Sequence, residues 1–183
     1  MCGVPMITLL PNRLHWINET ADDPYDLCAH AGVDFRIDGE TLIRPEVGIW
    51  TVSATALYLL RTLSKEHTKS DPVADHLFPC CGHGMFEVEG SEDVLMMGCN
   101  CGIDFEIVHD GGDIFLTAAD GTSHRIARSN WQSAVCQFSD AVRAFYANAS
   151  EKQGGDDFDQ KGFEKFLSEW TRRRFMATNP IEE

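Results

Sequence analysis

Basic side chains are scarce in this sequence. Its 183 residues include 15 Lys and Arg against 29 Asp and Glu, which gives a formal net charge of −14 at pH 7. Proteins that bind DNA or RNA gain much of their affinity by neutralising phosphates with Lys and Arg. The shortage argues against a nucleic-acid-binding surface. It favours a basic protein partner, which an acidic surface attracts over long distances.

Long apolar runs are also missing. No stretch approaches the roughly 20 apolar residues that span a bilayer. The apolar run of residues 6–10 is too short for a secretion signal and follows no basic region. Residues 181–183 contain no lipidation motif. Together with an odd number of cysteines, 7, these observations predict a cytoplasmic protein with reduced thiols and no membrane contact.

The sequence lacks the usual catalytic motifs. It contains no G-x-S-x-G elbow, no G-x-x-x-x-G-K phosphate loop, no H-E-x-x-H and no G-x-G-x-x-G. The histidines form no local pattern with a partner. We therefore predict that the protein is not an enzyme. A nucleophile built from Cys80 or Cys81 and a distant histidine stays open, since such partners meet only in the fold.

Short strand patterns are separated by turn residues in two parts of the chain. Residues 33–44 alternate on either side of Asp38–Gly39, a favoured two-residue hairpin turn. Residues 103–127 alternate in the same way around Gly111 and Gly121. An earlier strand begins near Ile7 and is predicted to end at the following proline. Successive strands joined by short turns predict an antiparallel β meander.

Three segments have the spacing of apolar residues that is typical of amphipathic helices, namely residues 53–65, 129–149 and 159–176. The aromatic stripe of the second helix should cover the apolar face of the sheet. A chain of 183 residues suits one compact domain. The sequence thus predicts a single-domain α+β fold with helices packed on one face of the meander. Its predicted parts are a main domain (1–153), a flexible linker (154–157) and a C-terminal helix packed on that domain (158–176).

Four cysteines and one histidine lie in the stretch 79–108, on either side of a hairpin signal. Residues 90–93 have turn chemistry, and apolar residues alternate before them and resume after them. A four-residue loop there places Gly82 opposite Cys101, so both cysteine-bearing ends meet at the open end of one hairpin. Zinc ribbons bring their ligands together in this way. The candidate zinc ligands are Cys80, Cys81, His83, Cys99 and Cys101.

Two other interpretations of these cysteines stay open. In the predicted register Cys99 and Cys101 continue an apolar face that carries Leu95 and Met97, which would make them buried reduced thiols. A redox or nucleophilic thiol needs a lowered pKa, and no Lys or Arg lies within 79–108 to lower it. In the same register Cys80, Cys99 and Cys101 share one face of the hairpin, and Cys81 and His83 share the other. A site that included His83 would therefore need the strand to break near Gly82.

A row of carboxylates is expected on the solvent-exposed face of the sheet. Such a row ordinarily keeps a protein soluble, but it also resembles a phosphate backbone and is our candidate partner-binding surface. Its members are Glu87, Glu89, Asp104 and Glu106.

The stretches LFPCCGHG (77–84) and MMGCNCGIDFEIVH (96–109) lie in a small acidic chain without catalytic motifs. In this general character, and in the part from Gly98 to His109, the chain resembles the immunity proteins that accompany bacterial polymorphic and contact-dependent toxins. The resemblance implies a non-enzymatic protein that binds and neutralises a toxin domain, often a nuclease, in the cytoplasm. It carries over no individual binding residue.

Overall fold

The computed structural model describes residues 6–81 and 83–179. Within these residues, short strands and three helices form an α+β fold, as the sequence predicts. All strand pairs are antiparallel. Residues 1–5, 82 and 180–183 lie outside the described residues. The expectations about a secretion signal, a lipidation motif and a strand break near Gly82 involve these positions.

The largest sheet has β2 at its centre. Its strands are β1 (Ile7–His15), β2 (His30–Ile37), β3 (Glu40–Ile43) and β4 (Trp50–Thr51). The predicted hairpin is confirmed, because Asp38 and Gly39 turn the chain between β2 and β3 with φ angles of 52° and 83°. The predicted end of β1 at Pro11 is wrong. β1 continues to His15 because it is an edge strand, where a residue without a backbone N–H is tolerated.

The predicted meander is confirmed in the second sheet. It consists of β9 (Phe105–Asp110), β10 (Asp113–Ala118) and β11 (Ser123–Ala127). Gly111 and Gly121 have positive φ angles in the two turns. Favourable turn residues at the expected positions therefore determine this part of the topology.

Each predicted helix is present, and its ends lie within a few residues of the prediction. The helices are α1 (Val52–Arg61), α2 (Arg128–Ala147) and α3 (Asp157–Thr178). The aromatic stripe of α2 is largely buried, but the prediction that it covers the meander is wrong, because α2 packs mainly against β1 of the larger sheet. In the segment 154–157, predicted to be a flexible linker, Asp157 already begins α3, and the Gly154 N–H donates to Oε1 of Gln160 at 2.7 Å. There the Asp156 carboxylate caps the helix by accepting hydrogen bonds from two backbone N–H groups.

One buried hydrophobic cluster joins both larger sheets to all three helices. The helix α1 lies inside this cluster, and every residue from Val52 to Leu60 is buried. This agrees with a helix that is apolar on most sides. The largest fully buried side chains include Phe35, Phe78, Trp131, Phe138, Phe166 and Trp170.

The cysteine-bearing stretch forms one long hairpin that is interrupted in its middle. Its strands are β5 (Phe78–Pro79), β6 (Gly84–Phe86), β7 (Leu95–Met97) and β8 (Gly102–Ile103). β5 pairs with β8 and β6 pairs with β7 in one continuous register. The predicted register is wrong by two residues. Cys80, not Gly82, lies opposite Cys101, and the Cys80 N–H donates to the Cys101 carbonyl at 3.0 Å.

Buried charges explain why the hairpin loop is longer than predicted. The loop spans residues 87–94, and its end is held by Glu169 of α3, whose Oε2 accepts a hydrogen bond from the Val94 N–H at 2.8 Å. The Glu169 side chain is fully buried and pairs with Arg61 at 2.8 Å and with Arg173 at 2.6 Å. Arg173 also pairs with Asp93 at 2.7 Å. We call these four charged residues the Glu169 network.

Helix α3 approaches β6 closely at Gly162. A Cβ at this position would lie 1.8 Å from the Met85 carbonyl oxygen, so a side chain would force the helix away from the hairpin. We expect Gly162→Ala to lower the free energy of unfolding by about 1–3 kcal/mol in urea, although alanine favours helix formation. The exposed neighbour Lys161→Ala should change it by less than about 0.5 kcal/mol. A gain in stability for Gly162→Ala would contradict the close approach.

Candidate metal centre

Four thiols gather where the long hairpin is interrupted. The Sγ atoms of Cys80, Cys99 and Cys101 all lie within 4.8 Å of one another, and those of Cys80 and Cys99 are 3.2 Å apart. Cys81 adds a fourth thiol, with its Sγ 3.3 Å from that of Cys80. All four are free cysteines. We call them the thiol knuckle.

The sequence predicted that Cys80, Cys99 and Cys101 would share a face of the hairpin, and these three form the closest group. The error of two residues in register does not alter this grouping, because side chains alternate with a period of two. The sequence therefore identified the group correctly from an incorrect register.

The thiol knuckle lies at the surface of the protein. Cys80 and Cys99 are half-buried, and Cys81 and Cys101 are exposed. On the hairpin face that was predicted to be buried, Leu95 is 47% exposed and Met97 is 59% exposed. Met85 is buried instead, because α3 packs against β6. The interpretation of Cys99 and Cys101 as buried thiols is therefore wrong.

The thiols share their protons unequally. Hydrogen bonds from the Cys81 and Cys80 thiols lower the pKa of Cys99 to about 7. Donation to Cys99 and contact with Cys81 raise the pKa of Cys80 to about 12. At pH 7 the Cys99 thiol is thus about half ionised, and a metal ion would take the place of the protons that its neighbours donate.

Cys99 is expected to react with iodoacetamide at near-neutral pH in the absence of metal. With a pKa of about 7, half of its thiol is ionised at that pH, so the alkylation rate should rise with pH to a midpoint near 7. Mass spectrometry of alkylated peptides measures this rate for each cysteine. Buried Cys28, whose pKa burial raises to about 11, is the internal control and should label slowly. A Cys99 midpoint above pH 8.5 would contradict the hydrogen-bonded arrangement, and slow labelling would also remove the redox or nucleophilic role.

His83 makes contacts outside the group of three thiols. Its Nδ1 lies 2.6 Å from the Cys81 carbonyl oxygen, and its ring packs on Gly98, where a Cβ would lie 2.6 Å from the ring. The ring also meets the Tyr58 ring edge-on, with centroids 6.2 Å apart. Burial lowers the pKa of His83, which favours the neutral imidazole. Of the five predicted ligands, the structure thus brings together the four thiols and gives His83 different neighbours.

The predicted partner-binding carboxylates do not form one row on one sheet. Glu87 and Glu89 lie in the exposed hairpin loop, whereas Glu106 belongs to β9 of the meander. Asp104 lies between β8 and β9, and its Oδ1 is 3.0 Å from Nε2 of His67. The expectation failed because Glu87 and Glu89 lie in a loop of the β6–β7 hairpin, which is a separate sheet from the meander.

The Glu169 network was not predicted. The sequence offers only a weak indication that Glu169 is buried. Glu169 follows Phe166 by three residues and precedes Trp170, so it lies on the apolar side of α3. Arg61 similarly ends a helix that is otherwise buried. A charge on an apolar helix face indicates a buried ion pair, but it does not name the partner.

Comparison with known proteins finds no relative of this chain. No family model, curated protein or solved structure matches it. Among the described residues, no helix has the length and apolar character required to cross a membrane. The geometry of the thiol knuckle and of the surface around it is therefore the basis for a functional proposal.

Proposed function

We propose that the protein binds one zinc ion through the thiolates of Cys80, Cys99 and Cys101. The observation that carries this proposal is the convergence of their three Sγ atoms within 4.8 Å. Thiolates select soft and borderline metal ions, among which zinc is common at structural sites. A tetrahedral site with Zn–S bonds of about 2.3 Å needs sulfur atoms about 3.8 Å apart. The three Sγ atoms lie within 4.8 Å of one another, so small side-chain rotations bring them to that spacing.

Cys81 is the proposed fourth ligand. Its Sγ is 3.3 Å from that of Cys80, although neighbouring side chains on a regular strand point to opposite faces. The chain bends here, and the Thr51 hydroxyl and the His83 ring both hydrogen-bond to the Cys81 carbonyl. Four thiolates complete the coordination of zinc and leave no open position for a substrate. The proposed ion is therefore structural, and the protein is proposed not to be an enzyme.

Elemental analysis tests the zinc proposal directly. Protein purified without chelator is expected to contain about one zinc ion per chain. Cys81→Ser should weaken zinc binding at least about tenfold in competition with a chromogenic chelator, whereas His83→Ala should leave it unchanged. No metal in folded, reduced protein would contradict the proposal. Weakening by His83→Ala alone would instead assign the fourth position to the histidine.

A second candidate function is the binding of a basic protein in the cytoplasm, as an immunity protein binds a toxin domain. The observation that favours it is the distribution of charge. Arg172, Arg173 and Arg174 pair with acids of this chain, whereas the exposed Glu87 and Glu89 make no ion pair or hydrogen bond among the described residues. Unpaired carboxylates on a chain of net charge −14 attract basic partners and repel nucleic acid.

Affinity capture from the cells that produce the protein tests this second function. A basic partner should be retained, and the retained amount should fall as the salt concentration rises. The double variant Glu87→Gln/Glu89→Gln should retain less, and the exposed Glu151→Gln should retain as much as the original protein. Repeated capture of no specific protein would count against this function and would leave the zinc site untouched.

A further inference from the structure

A groove of about 520 Å³ runs along β7. One wall is the segment 72–76, the other is the segment 94–100, and Tyr58 and Arg61 of α1 lie between them. A second cavity of about 350 Å³ shares Arg61 with it and extends it towards the hairpin loop. The thiol knuckle lies at the opposite end, through Cys99.

The groove exposes the backbone edge of β7. Side chains of a strand alternate between two faces, so a cavity on one face would contact every second residue. This groove is lined by every residue from Val94 to Asn100, which places it beside the edge of the strand. Among the described residues β7 pairs with β6 alone. Its second edge therefore has backbone groups that are available to another strand.

Arg61 holds the two walls of the groove in place. Its guanidinium donates to the Val73 carbonyl on one wall at 3.2 Å and to the Val94 carbonyl on the other at 2.8 Å. The same guanidinium is fixed by the buried carboxylate of Glu169. The walls are thus tied to helices α1 and α3 and do not have to be ordered when a ligand binds, which lowers the cost of binding.

Two polar groups in the groove lack partners. His76 lines the groove, and its Nδ1 is buried without a hydrogen-bond partner among the described residues. The exposed carboxylate of Asp75 likewise has no hydrogen bond or ion pair there. Buried polar atoms normally have a partner, so the Nδ1 of His76 points to a partner that the described residues do not supply.

We propose that this groove binds an extended segment of a partner protein, which adds a strand to the free edge of β7 and places a basic side chain near Asp75. Backbone hydrogen bonds to a sheet edge provide affinity in such complexes, and alternate side chains provide specificity. Exposed Leu95 and Met97 lie on one face of β7, so the added strand carries apolar residues on that face. This inference rests on the second proposed function, because it names the surface that performs the protein binding. It does not require zinc.

The charge of the chain selects the occupant. A second copy would bring another net charge of −14 to a groove whose other wall carries unpaired Asp75, which opposes pairing between two copies. A basic segment is attracted by the same charge. We therefore expect the protein to sediment as a monomer. A dimer that a bound peptide dissociates would assign the edge to a second copy and overturn the proposal.

Selection from a displayed library of nine-residue peptides tests the groove. Peptides that alternate basic and apolar residues, without proline in the middle, should be enriched on the intact protein. A synthetic copy of the enriched sequence that is N-methylated at alternate positions should bind at least about tenfold more weakly, since it cannot donate to β7. Asp75→Asn should weaken binding of the unmodified peptide about two- to fivefold. Glu46→Gln, an exposed carboxylate outside the groove, should not change it.

The outcomes separate this inference from the function on which it rests. Enrichment of acidic or proline-rich peptides, or of none, would overturn the proposal that the groove binds a basic extended segment. So would equal binding of the N-methylated copy, or equal binding by the Asp75→Asn protein. If the captured cellular partner bound the Asp75→Asn protein as tightly as the original, the proposed protein binding would be supported, but its assignment to the groove would be rejected. If the peptides bound as predicted while capture recovered nothing, peptide binding in the groove would be supported and the toxin-binding function would be rejected.

Discussion

Replacing Glu169 by alanine is expected to lower the free energy of unfolding by about 3–5 kcal/mol. The Glu169 carboxylate is fully buried and is the common partner of Arg61, Arg173 and the Val94 N–H. Its removal leaves the Arg61 side chain, of which 14% is exposed, without its carboxylate. A buried charge that has lost its partner retains its full desolvation penalty, and this penalty accounts for the size of the effect.

Urea unfolding of three variants measures the contribution of Glu169. Glu169→Gln keeps the size of the side chain and one acceptor for the Val94 N–H, so it should be less destabilising than Glu169→Ala but still costly. Glu164→Ala, an exposed position on the same helix, should change stability by less than about 0.5 kcal/mol. A loss below about 1 kcal/mol for Glu169→Ala would show that the network contributes little.

The double variant Cys99→Ser/Cys101→Ser is expected to lose zinc binding and the stability that zinc provides. Two of the three ligands in the closest group are removed, and serine hydroxyls are not zinc ligands of the type found at structural sites. An ion that binds only the folded chain stabilises it by about 2.7–4.1 kcal/mol when its free concentration is about 100–1,000 times its dissociation constant. The variant should lose this amount in zinc-containing buffer.

A chelator distinguishes lost metal from lost packing. Chelation should lower the stability of the original protein to that of the double variant and should leave the variant unchanged. Cys136→Ser is the matched control, because this half-buried thiol lies on α2 and outside the thiol knuckle. Equal stability of the original protein and the double variant in zinc would refute a structural ion. We expect the variant to stay folded, because the hydrophobic cluster is built mostly from other parts of the chain.

Local sequence patterns predicted some features of the cysteine-bearing hairpin and not others. Turn residues and alternation correctly indicated that the two cysteine-bearing ends meet. The two-residue alternation of side chains also placed on one face the three thiols that form the closest cluster. The same patterns misjudged the loop, the register and the buried face. Each of these depends on residues of α3 that are distant in sequence: Glu169 binds the end of the loop, and Gly162 lies against the Met85 carbonyl.

By itself, the sequence determined the helices, the meander turns and the grouping of the thiols. These features depend on periodicity and on turn chemistry, which act over a few residues. Only the tertiary structure decided that the thiol knuckle is exposed, that His83 has other neighbours and that β7 has a free edge beside a groove. The bridge from Arg61 to Glu169 joins residues 108 positions apart. Burial and partners at such separations depend on how elements pack, and no local pattern records that packing.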